Sequence, residues 1–300
     1  MSKNTAYYNK KEARWGIIFA LPAILGFFLW TAGPMIASLL ISLTDWKIGG
    51  TPNFIGIDNY IHMFTNDPLF PKSIWATLYF ALGSVPLILI FSFLVAILLN
   101  QKVRFMPFFR TVFYMPSIAP VIASSVLWMW LFNPDFGLLN NALQAVGLHK
   151  LMWIYDENQV IPSLIMMNLW GMGNTMIIFL AGLQGIPEYL YEAVDIDGGN
   201  WWDKFRIVTI PMMSPTIFFN MVMLIIDNMQ VFSKAYVMTD GGPNNSSLFY
   251  VFYLYRTAFT HSEFGYASAL AWILFIIILI LTIIVFKTSN KWIYYEGGSK

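Results

Sequence analysis

Polar side chains interrupt an apolar stretch late in this 300-residue chain. Asp227 lies deep in the apolar run 208–232, and Asn220 lies seven residues before it, within about 20° of it on a helical wheel. Asn228 and Gln230 flank this position and widen the polar face. An Asp at the centre of a membrane helix costs about 2.5–3.5 kcal/mol on insertion scales, so Asp227 is expected to face a cavity or a partner.

A second polar group lies in the apolar run 161–183, where Asn168 and Thr175 share one helical face beside Trp170 and Gly171. Amides and a carboxylate beside aromatic rings provide what a sugar requires, namely partners for its hydroxyl groups and a surface for its apolar C–H faces. The alternative is that these polar groups hydrogen-bond one helix to another.

A third polar group lies between these two runs, in the segment 187–204. Glu188, Glu192 and Asp195 have the spacing i, i+4, i+7, which places them on one face of a helix. Pro187 suits the first turn of that helix. The pattern therefore predicts a short helix with an acidic face.

A turn and a second short helix are predicted to follow. Gly198-Gly199 ends the first helix, Asn200 caps the second, and Asp203 lies in its first turn. The whole loop 185–211 holds five acidic and two basic residues. Because cytoplasmic loops are usually basic, this composition favours contact with a protein over contact with anionic lipid. An amphipathic hairpin at the membrane surface is the alternative.

Several kinds of chemistry are disfavoured. The absence of cysteine excludes thiolate metal sites, redox dithiols and cysteine nucleophiles. The three histidines, His62, His149 and His261, stand far apart without a metal-ligating pattern, which argues against an enzyme. The chain also lacks the phosphate loop G-x-x-x-x-G-K-[ST], so any ATP hydrolysis would belong to another polypeptide. No cofactor and no metal are expected in this chain.

The composition indicates that membrane helices position these polar groups. Hydrophobic residues make up 58% of the chain and charged residues 11%, and the mean hydropathy is +0.61. A soluble domain has about 25% charged residues. The net charge of +1 argues against nucleic acid as a partner. We therefore predict an all-α integral membrane protein, formed by one transmembrane domain over residues 1–300.

Six apolar segments are long enough to cross a layer about 30 Å thick, which requires about 20 helical residues. The predicted spans cover residues 15–43, 75–99, 111–132, 161–183, 208–232 and 267–286.

The basic residues predict the orientation, because Lys and Arg are enriched on the cytoplasmic side. With both termini in the cytoplasm, 12 of the 17 basic residues lie inside and 5 outside. A cleaved signal peptide is the alternative for the first segment, but that segment is long and lacks a clear cleavage site.

The loop between the fourth and fifth spans resembles a known signature. Glu192-Ala193-Val194, three residues, Gly198, nine residues and then Val208-Thr209-Ile210-Pro211 are similar to the EAA signature of permeases from binding-protein-dependent ABC importers. That signature has E-A-A, three residues, G, nine residues and I-x-L-P. Val194, Val208 and Ile210 differ from it, each by a conservative change.

Further segments resemble the branch of this family that takes up carbohydrates, which includes the maltose and glycerol-phosphate permeases. The similar segments are Phe54–Tyr60, Asp67-Pro68, Leu21-Pro22, Gly33-Pro34 and Thr239–Pro243. The chain is similar to a six-span form of the larger maltose membrane subunit. The resemblance implies the type I ABC importer permease fold.

The resemblance also implies partners and a coupling role. The partners would be a second related permease, an ATP-binding cassette ATPase dimer and an extracytoplasmic sugar-binding protein, at a bacterial cytoplasmic membrane. The segment 187–204 would be the coupling helix region that docks on the ATPase, and Glu192 would pair with a basic residue there. The expected ATPase-coupling residues are Glu192, Ala193, Asp195, Asp197, Gly198 and Pro211.

The sugar-contact positions of the maltose-type subunit align with Ser117, Val121, Asn168, Gly171, Asp227 and Asn228. Together with Asn220, which the polar face suggests, they form the expected substrate path. Ser117, Val121 and Asp227 differ from the residue types of the family. Asp227 in place of an aromatic residue suggests a substrate richer in hydroxyl groups or one that carries a positive group.

The predicted function is that of a membrane-spanning permease of an ATP-driven sugar importer, with an oligosaccharide as the expected substrate. The alternative is an ion-coupled secondary sugar transporter, in which Asp227 would relay protons. That alternative does not account for the spacing of the EAA signature.

Overall fold

The computed structural model describes residues 2–101, 103–289 and 291–294. Several of the basic residues on which the predicted orientation depends are outside the described residues, or have side chains outside them. These are Lys102 and Lys300, and the side chains of Lys3, Lys10 and Lys11. Orientation in the membrane therefore stays a prediction.

The chain forms two compact units, although the composition predicts one domain. The first unit consists of Met1–Asn66 with Tyr255–Trp272, and the second of Asp67–Leu254 with Ile273–Lys300. In the second unit, segments far apart in sequence pack together.

The first unit begins with α1 (Ser2–Phe27), a π-helical turn (Phe28–Ala32) and α2 (Gly33–Ile41). Pro34 explains the π-helical turn. Because Pro34 has no N–H, a carbonyl group one turn earlier loses its donor and the helix widens locally. The N–H of Gly33 instead donates to the carbonyl of Phe28.

A compact outer segment follows and leads into α3 (Asp58–Thr65). The buried amide of Asn59 donates to the carbonyl groups of Ser42 and Thr44, at 2.8 and 2.9 Å. Lys47 forms an ion pair with Glu263 at 2.8 Å. Isolated β-bridges also join Lys47 to Glu263 and Thr44 to Phe54. The segment that resembles the first outer loop of sugar permeases is thus held by one buried amide, an exposed ion pair and two β-bridges.

The remaining helices carry the candidate sites. They are α4 (Leu69–Leu99), α5 (Met106–Ile118), α6 (Val121–Leu131), α7 (Leu138–Ala145), α8 (Val160–Trp170), α9 (Gly173–Gln184), α10 (Glu188–Ile196), α11 (Trp201–Lys204), α12 (Ile210–Met229), α13 (Tyr250–Tyr255) and α14 (Phe264–Ser289). Further π-helical turns cover Phe205–Thr209, Ala235–Thr239 and Arg256–Thr260, and a 3₁₀ turn covers Trp153–Tyr155.

Within the described residues, four helical segments are long and apolar enough to span a membrane, namely Glu12–Ile41, Leu69–Leu99, Trp201–Met229 and Phe264–Ser289. Two bent pairs raise this number to six if each pair is one span. The pairs are α5 with α6, bent by 97°, and α8 with α9, bent by 45°.

A break divides the predicted span 111–132 into α5 and α6. Ala119 is extended, with φ of −63° and ψ of 134°. The following Pro120 explains this, because a proline ring disfavours the α conformation in the residue before it. The break places Val121 at the first turn of α6.

A hydrophobic cluster holds α4, α5, α9 and α12 together at the end of α4 that is predicted to lie in the cytoplasm. Its buried residues are Ala96, Leu99, Met106, Met176, Phe179, Leu180, Leu183 and Met213. The coupling segment follows directly after α9, so it is attached to this core.

Four aromatic residues near α13 lie inside the protein. The aromatic residues of the predicted outer segment 246–260 are expected from the sequence to be interface anchors or part of a docking surface, but Phe249, Tyr250, Phe252 and Tyr253 are buried. Phe249 packs on Phe80 with ring centroids 5.1 Å apart. That interpretation is wrong for these four residues, because they fill the space beside α4.

Gly173 allows α9 to approach α5 closely. A Cβ atom at this position would lie 2.8 Å from the Ser117 Oγ and 3.0 Å from the carbonyl oxygen of Phe113. The Gly173→Ala substitution is expected to destabilise the protein by about 1–3 kcal/mol, because the two helices must move apart. Thermal denaturation of the purified protein measures this effect. Gly26→Ala is the control, since a Cβ there has no neighbour within 4 Å, and equal melting temperatures would contradict the close approach.

Candidate functional site

A cavity of about 230 Å³ lies between α4, α6, α8 and the end of α12. It is lined by four of the predicted path residues, Val121, Asn168, Asp227 and Asn228. The other residues around it are Phe80 and 230–234. Residues that are up to 154 positions apart in sequence thus surround one space.

A chain of hydrogen bonds crosses this cavity. Lys234 donates through its Nζ to the Oδ1 of Asn168. Asn168 in turn donates through its Nδ2 to the Oδ1 of Asn228, at 2.7 Å. Asn228, which is buried, donates to the carbonyl of Leu224 at 2.7 Å. The two amides therefore have fixed orientations and connect α8 to α12.

Lys234 lies beyond the last residue of α12, Met229, and outside the candidate spans. Its ammonium group lies 5.5 Å from the centre of the Phe80 ring, within the range of a cation–π contact. Burial lowers the pKa of Lys234 to about 8, and the negative charge of Asp227 opposes this shift. The cavity thus contains one basic and one acidic side chain together with two oriented amides.

Three predicted path residues lie away from this cavity. Ser117 donates to the carbonyl of Tyr114 at 2.7 Å and lies against Gly173. Asn220 is buried and donates to the carbonyl of Thr216 in its own helix. Gly171 lies at the break between α8 and α9 and is exposed.

Lys234 and Phe80 line the cavity but are absent from the predicted path. The sequence offered one weak signal for Lys234, because it is a basic residue only two positions after the predicted fifth span. In the predicted orientation, Lys234 is one of the five basic residues on the outer side. Phe80 gives no signal at all, since it is one of 26 Phe residues.

The coupling segment forms the predicted pair of short helices, α10 and α11. Gly198 has a φ of +77°, a left-handed conformation that suits glycine. Asn200 caps α11 by accepting hydrogen bonds from Trp202 and Asp203, and the Asp203 side chain accepts from the N–H of Asn200. This capping box confirms the cap predicted from the sequence.

The predicted coupling residues have different surroundings. Glu192 and Ala193 are exposed on α10, and Asp197 is exposed at its end. Asp195 forms an ion pair with Lys204 at 2.7 Å, which connects α10 to α11. Pro211 lies in the first turn of α12 and is partly buried. The side chain of Glu192 makes no hydrogen bond or ion pair with another described residue.

Further contacts connect the coupling hairpin, formed by α10 and α11, to the spans. The hydroxyl groups of Tyr191 and Thr209 lie 3.1 Å apart, which connects α10 to the π-helical turn before α12. In that turn, Phe205 stacks on Trp201 with centroids 5.5 Å apart and also contacts Phe93 of α4. These contacts link the hairpin to α12 and α4.

The bundle of apolar helices, the polar cavity and the capped hairpin define a membrane transport subunit. The chain belongs to the family of binding-protein-dependent transport system inner membrane components, whose model matches residues 70–294.

Known proteins similar to the chain agree with this family. It is 38% identical over 292 residues to the probable ABC transporter permease protein YesP of Bacillus subtilis strain 168, which covers 96% of this chain and 94% of YesP. It is 30% identical over 289 residues to the arabinooligosaccharides transport system permease protein AraP of the same organism, covering 95% and 91%.

A solved structure shows the same fold. It is a chain of a bacterial alginate ABC transporter in complex with its alginate pentasaccharide-bound periplasmic protein, at 21% identity and a TM-score of 0.81. The match covers 95% of this chain and 97% of that chain.

The family confirms several predictions. The chain is an all-helical, multi-pass membrane protein with an ABC importer permease fold. It is a transport subunit of a binding-protein-dependent ABC system and not an enzyme, and ATP hydrolysis belongs to a separate subunit. Membership of this family favours an ATP-driven importer over the ion-coupled secondary transporter.

The hydrogen bond between Asn168 and Asn228 can be tested by a double-mutant cycle. We expect the two Ala substitutions to couple by about 0.5–3 kcal/mol in stability, because each removes the partner of the other. Thermal denaturation of the four variants measures the coupling. A cycle between Asn168 and Asn220 is the control and should be additive, since Asn220 bonds to its own helix. Additive effects in the first cycle would contradict the bond.

Proposed function

We propose that this chain is the permease subunit of an ATP-driven oligosaccharide importer. It would form half of the translocation path, a second related permease would form the other half, and a cytoplasmic ATPase dimer would power transport. An extracytoplasmic sugar-binding protein would deliver the substrate. The chain itself would hold no cofactor, because ATP would bind to the ATPase.

The observation that carries this proposal is the cavity around Asn168 and Asn228. Its amides, carboxylate and ammonium group offer both donors and acceptors to hydroxyl groups. The ring of Phe80 adds an apolar surface beside them. Names of similar proteins support a saccharide substrate, since AraP is a permease for arabinooligosaccharides.

Lys234 changes the expectation about the substrate. If no cation lay near Asp227, its carboxylate would favour a substrate that carries a positive group. In the structure Asp227 shares its cavity with Lys234, so the two charges compensate each other electrostatically. This arrangement supports a substrate rich in hydroxyl groups, and it makes a positively charged group unnecessary.

The coupling role rests on the hairpin formed by α10 and α11. Its acidic face presents Glu192 without an internal partner, while Asp195 is engaged by Lys204. A basic residue of an ATPase would therefore meet Glu192 more readily than Asp195. An exposed apolar residue, Ile196, lies beside them with 86% of its surface accessible, which suits a protein contact.

The partner permease is supported by the first long helix. The window of Glu12–Ile41 that qualifies as a span buries none of its residues, whereas the window of Leu69–Leu99 buries 33%. We propose that part of this apolar surface packs against the second permease. Purification of the assembled importer identifies its subunits, and an importer with two copies of this chain as its only permeases would contradict the pairing.

The substrate cavity is tested by Asp227→Asn and Asn228→Ala in the assembled importer. Uptake of oligosaccharide is expected to fall at least about tenfold in each variant. Asp227→Asn removes a charged acceptor for a substrate hydroxyl group, and Asn228→Ala removes the partner that orients Asn168. A loss of this kind costs about 1.5–3 kcal/mol. Asp135→Asn, an exposed acid outside the cavity, is the control and should transport normally. Wild-type uptake from both cavity variants would remove the proposed path.

The coupling role is tested by Glu192→Ala and Gly198→Pro. We expect both to lower the ATPase stimulation that loaded binding protein produces, the first through the lost partner and the second because proline cannot adopt a φ of +77°. Glu12→Ala serves as the control, being another exposed glutamate on the predicted cytoplasmic side. The coupling role is wrong if both hairpin variants hydrolyse ATP and transport as the wild type does.

A further inference from the structure

A second and larger cavity lies in the same unit as the first. Its volume is about 470 Å³, and it is bounded by the first turns of α4, the segment before α8 and the loop 244–246. We call it the outer groove. No residue of the predicted path lines it.

Two exposed aromatic rings form one side of the outer groove. Trp75 and Tyr79 lie one turn apart on α4, with ring centroids 6.4 Å apart and ring planes 32° apart. Trp75 is 69% exposed and Tyr79 is 41% exposed. Together they present a broad apolar surface with polar edges, against which the C–H face of a sugar ring can stack.

Unpaired amides form the other side. In the described part of the chain, the side chains of Asn158, Asn244 and Asn245 make no hydrogen bond with another residue. Each offers two N–H donors and one carbonyl acceptor. The basic Lys72 and the acidic Glu157 also line the groove. Neither forms an ion pair with a described residue.

The outer groove lies in line with the inner cavity. On α4, Ala76 lines the groove and Phe80 lines the inner cavity, one turn or about 6 Å further along the same face. On α8, Ile161 lines the groove and Asn168 the inner cavity, two turns or about 10 Å further along. In the predicted orientation both helices begin on the outer side, so the groove lies outward of the cavity.

We propose that the outer groove is a saccharide-binding subsite, which holds units of an oligosaccharide whose leading unit reaches the inner cavity. An aromatic surface opposite free amides is the chemistry that recognises sugars, and the residues of α4 and α8 that line the groove lie on the same helix faces as those that line the inner cavity. The inference rests on the proposed transport of oligosaccharides and adds a second site to it.

The same residues would also suit contact with lipid or contact with the binding protein, and the test distinguishes these two roles from a saccharide subsite. Trp75 could anchor the chain in the lipid interface, where tryptophan is enriched. Trp130 provides a matched control for this role, because it is 51% exposed, lies at the outer end of α6 in the predicted orientation and lines neither cavity. In the second role, a loop of the binding protein would contact the outer groove.

The test uses the complete importer, reconstituted in lipid with its ATPase and binding protein. Labelled arabino-, malto- and alginate-oligosaccharides of graded length identify the series that the wild type carries. Uptake of the longest and the shortest imported members is then compared in Trp75→Ala, Trp75→Phe, Trp130→Ala and Asn245→Gly. Glycine replaces Asn245 because the φ there is +60°.

The proposal predicts a length-dependent loss. Trp75→Ala should slow uptake of the longest saccharide about tenfold, the factor that about 1.4 kcal/mol represents, and should leave the shortest one nearly unchanged. Trp75→Phe should restore most of the uptake, Asn245→Gly should show a smaller loss of the same kind, and Trp130→Ala should behave as the wild type.

Other results would overturn the proposal and identify the cause. Equal losses from Trp75→Ala and Trp130→Ala would indicate a lipid anchor. Loss of ATPase stimulation by sugar-free binding protein in Trp75→Ala would indicate a protein contact. Unchanged uptake of all lengths in Trp75→Ala would show that the groove binds no saccharide. If the wild-type importer carries none of these saccharides, the result contradicts the proposed transport of oligosaccharides itself, and the subsite with it.

Discussion

A polar group within the hydrocarbon layer must find its partner inside the protein, and most features of this chain follow from that constraint. Most polar side chains in the spans find a hydrogen-bond partner within their own helix. Ser125 and Ser163 donate to carbonyl groups one turn earlier, and Asn220 does the same at 3.0 Å. Asn168 and Asn228 meet the constraint by bonding to each other across two helices. The second solution leaves polar atoms directed at a shared space, and that space is the candidate path.

Prolines place the helices so that this space can form. Pro120 separates α5 from α6 and brings Val121 to the cavity wall. Pro211 lies in the first turn of α12, directly after a π-helical turn, where the N–H of Ile210 donates to the carbonyl of Phe205. The same turn carries the contacts between the coupling hairpin and the spans. The helix breaks therefore shape the cavity and hold the contacts on which the proposed coupling depends.

Prediction from the sequence succeeded where the relevant interactions are local. The hairpin is one such case, because the left-handed glycine and the capping box depend on residues within a few positions of each other. It failed for the aromatic residues around α13, since exposure at a membrane interface and burial against α4 have the same local pattern. Lys234 was overlooked because its partner, Asn168, is 66 residues away.

The sequence by itself determined the membrane class, the apolar segments and the coupling hairpin, because hydropathy, proline positions and capping residues act over one or two helical turns. Only the tertiary structure decided which polar residues meet. Asn220 and Asn228 are two turns apart on one helix, yet one bonds within that helix and the other joins the cavity. The difference arises because α8 and the segment around Lys234 approach one end of α12, and the packing of distant segments determines that approach.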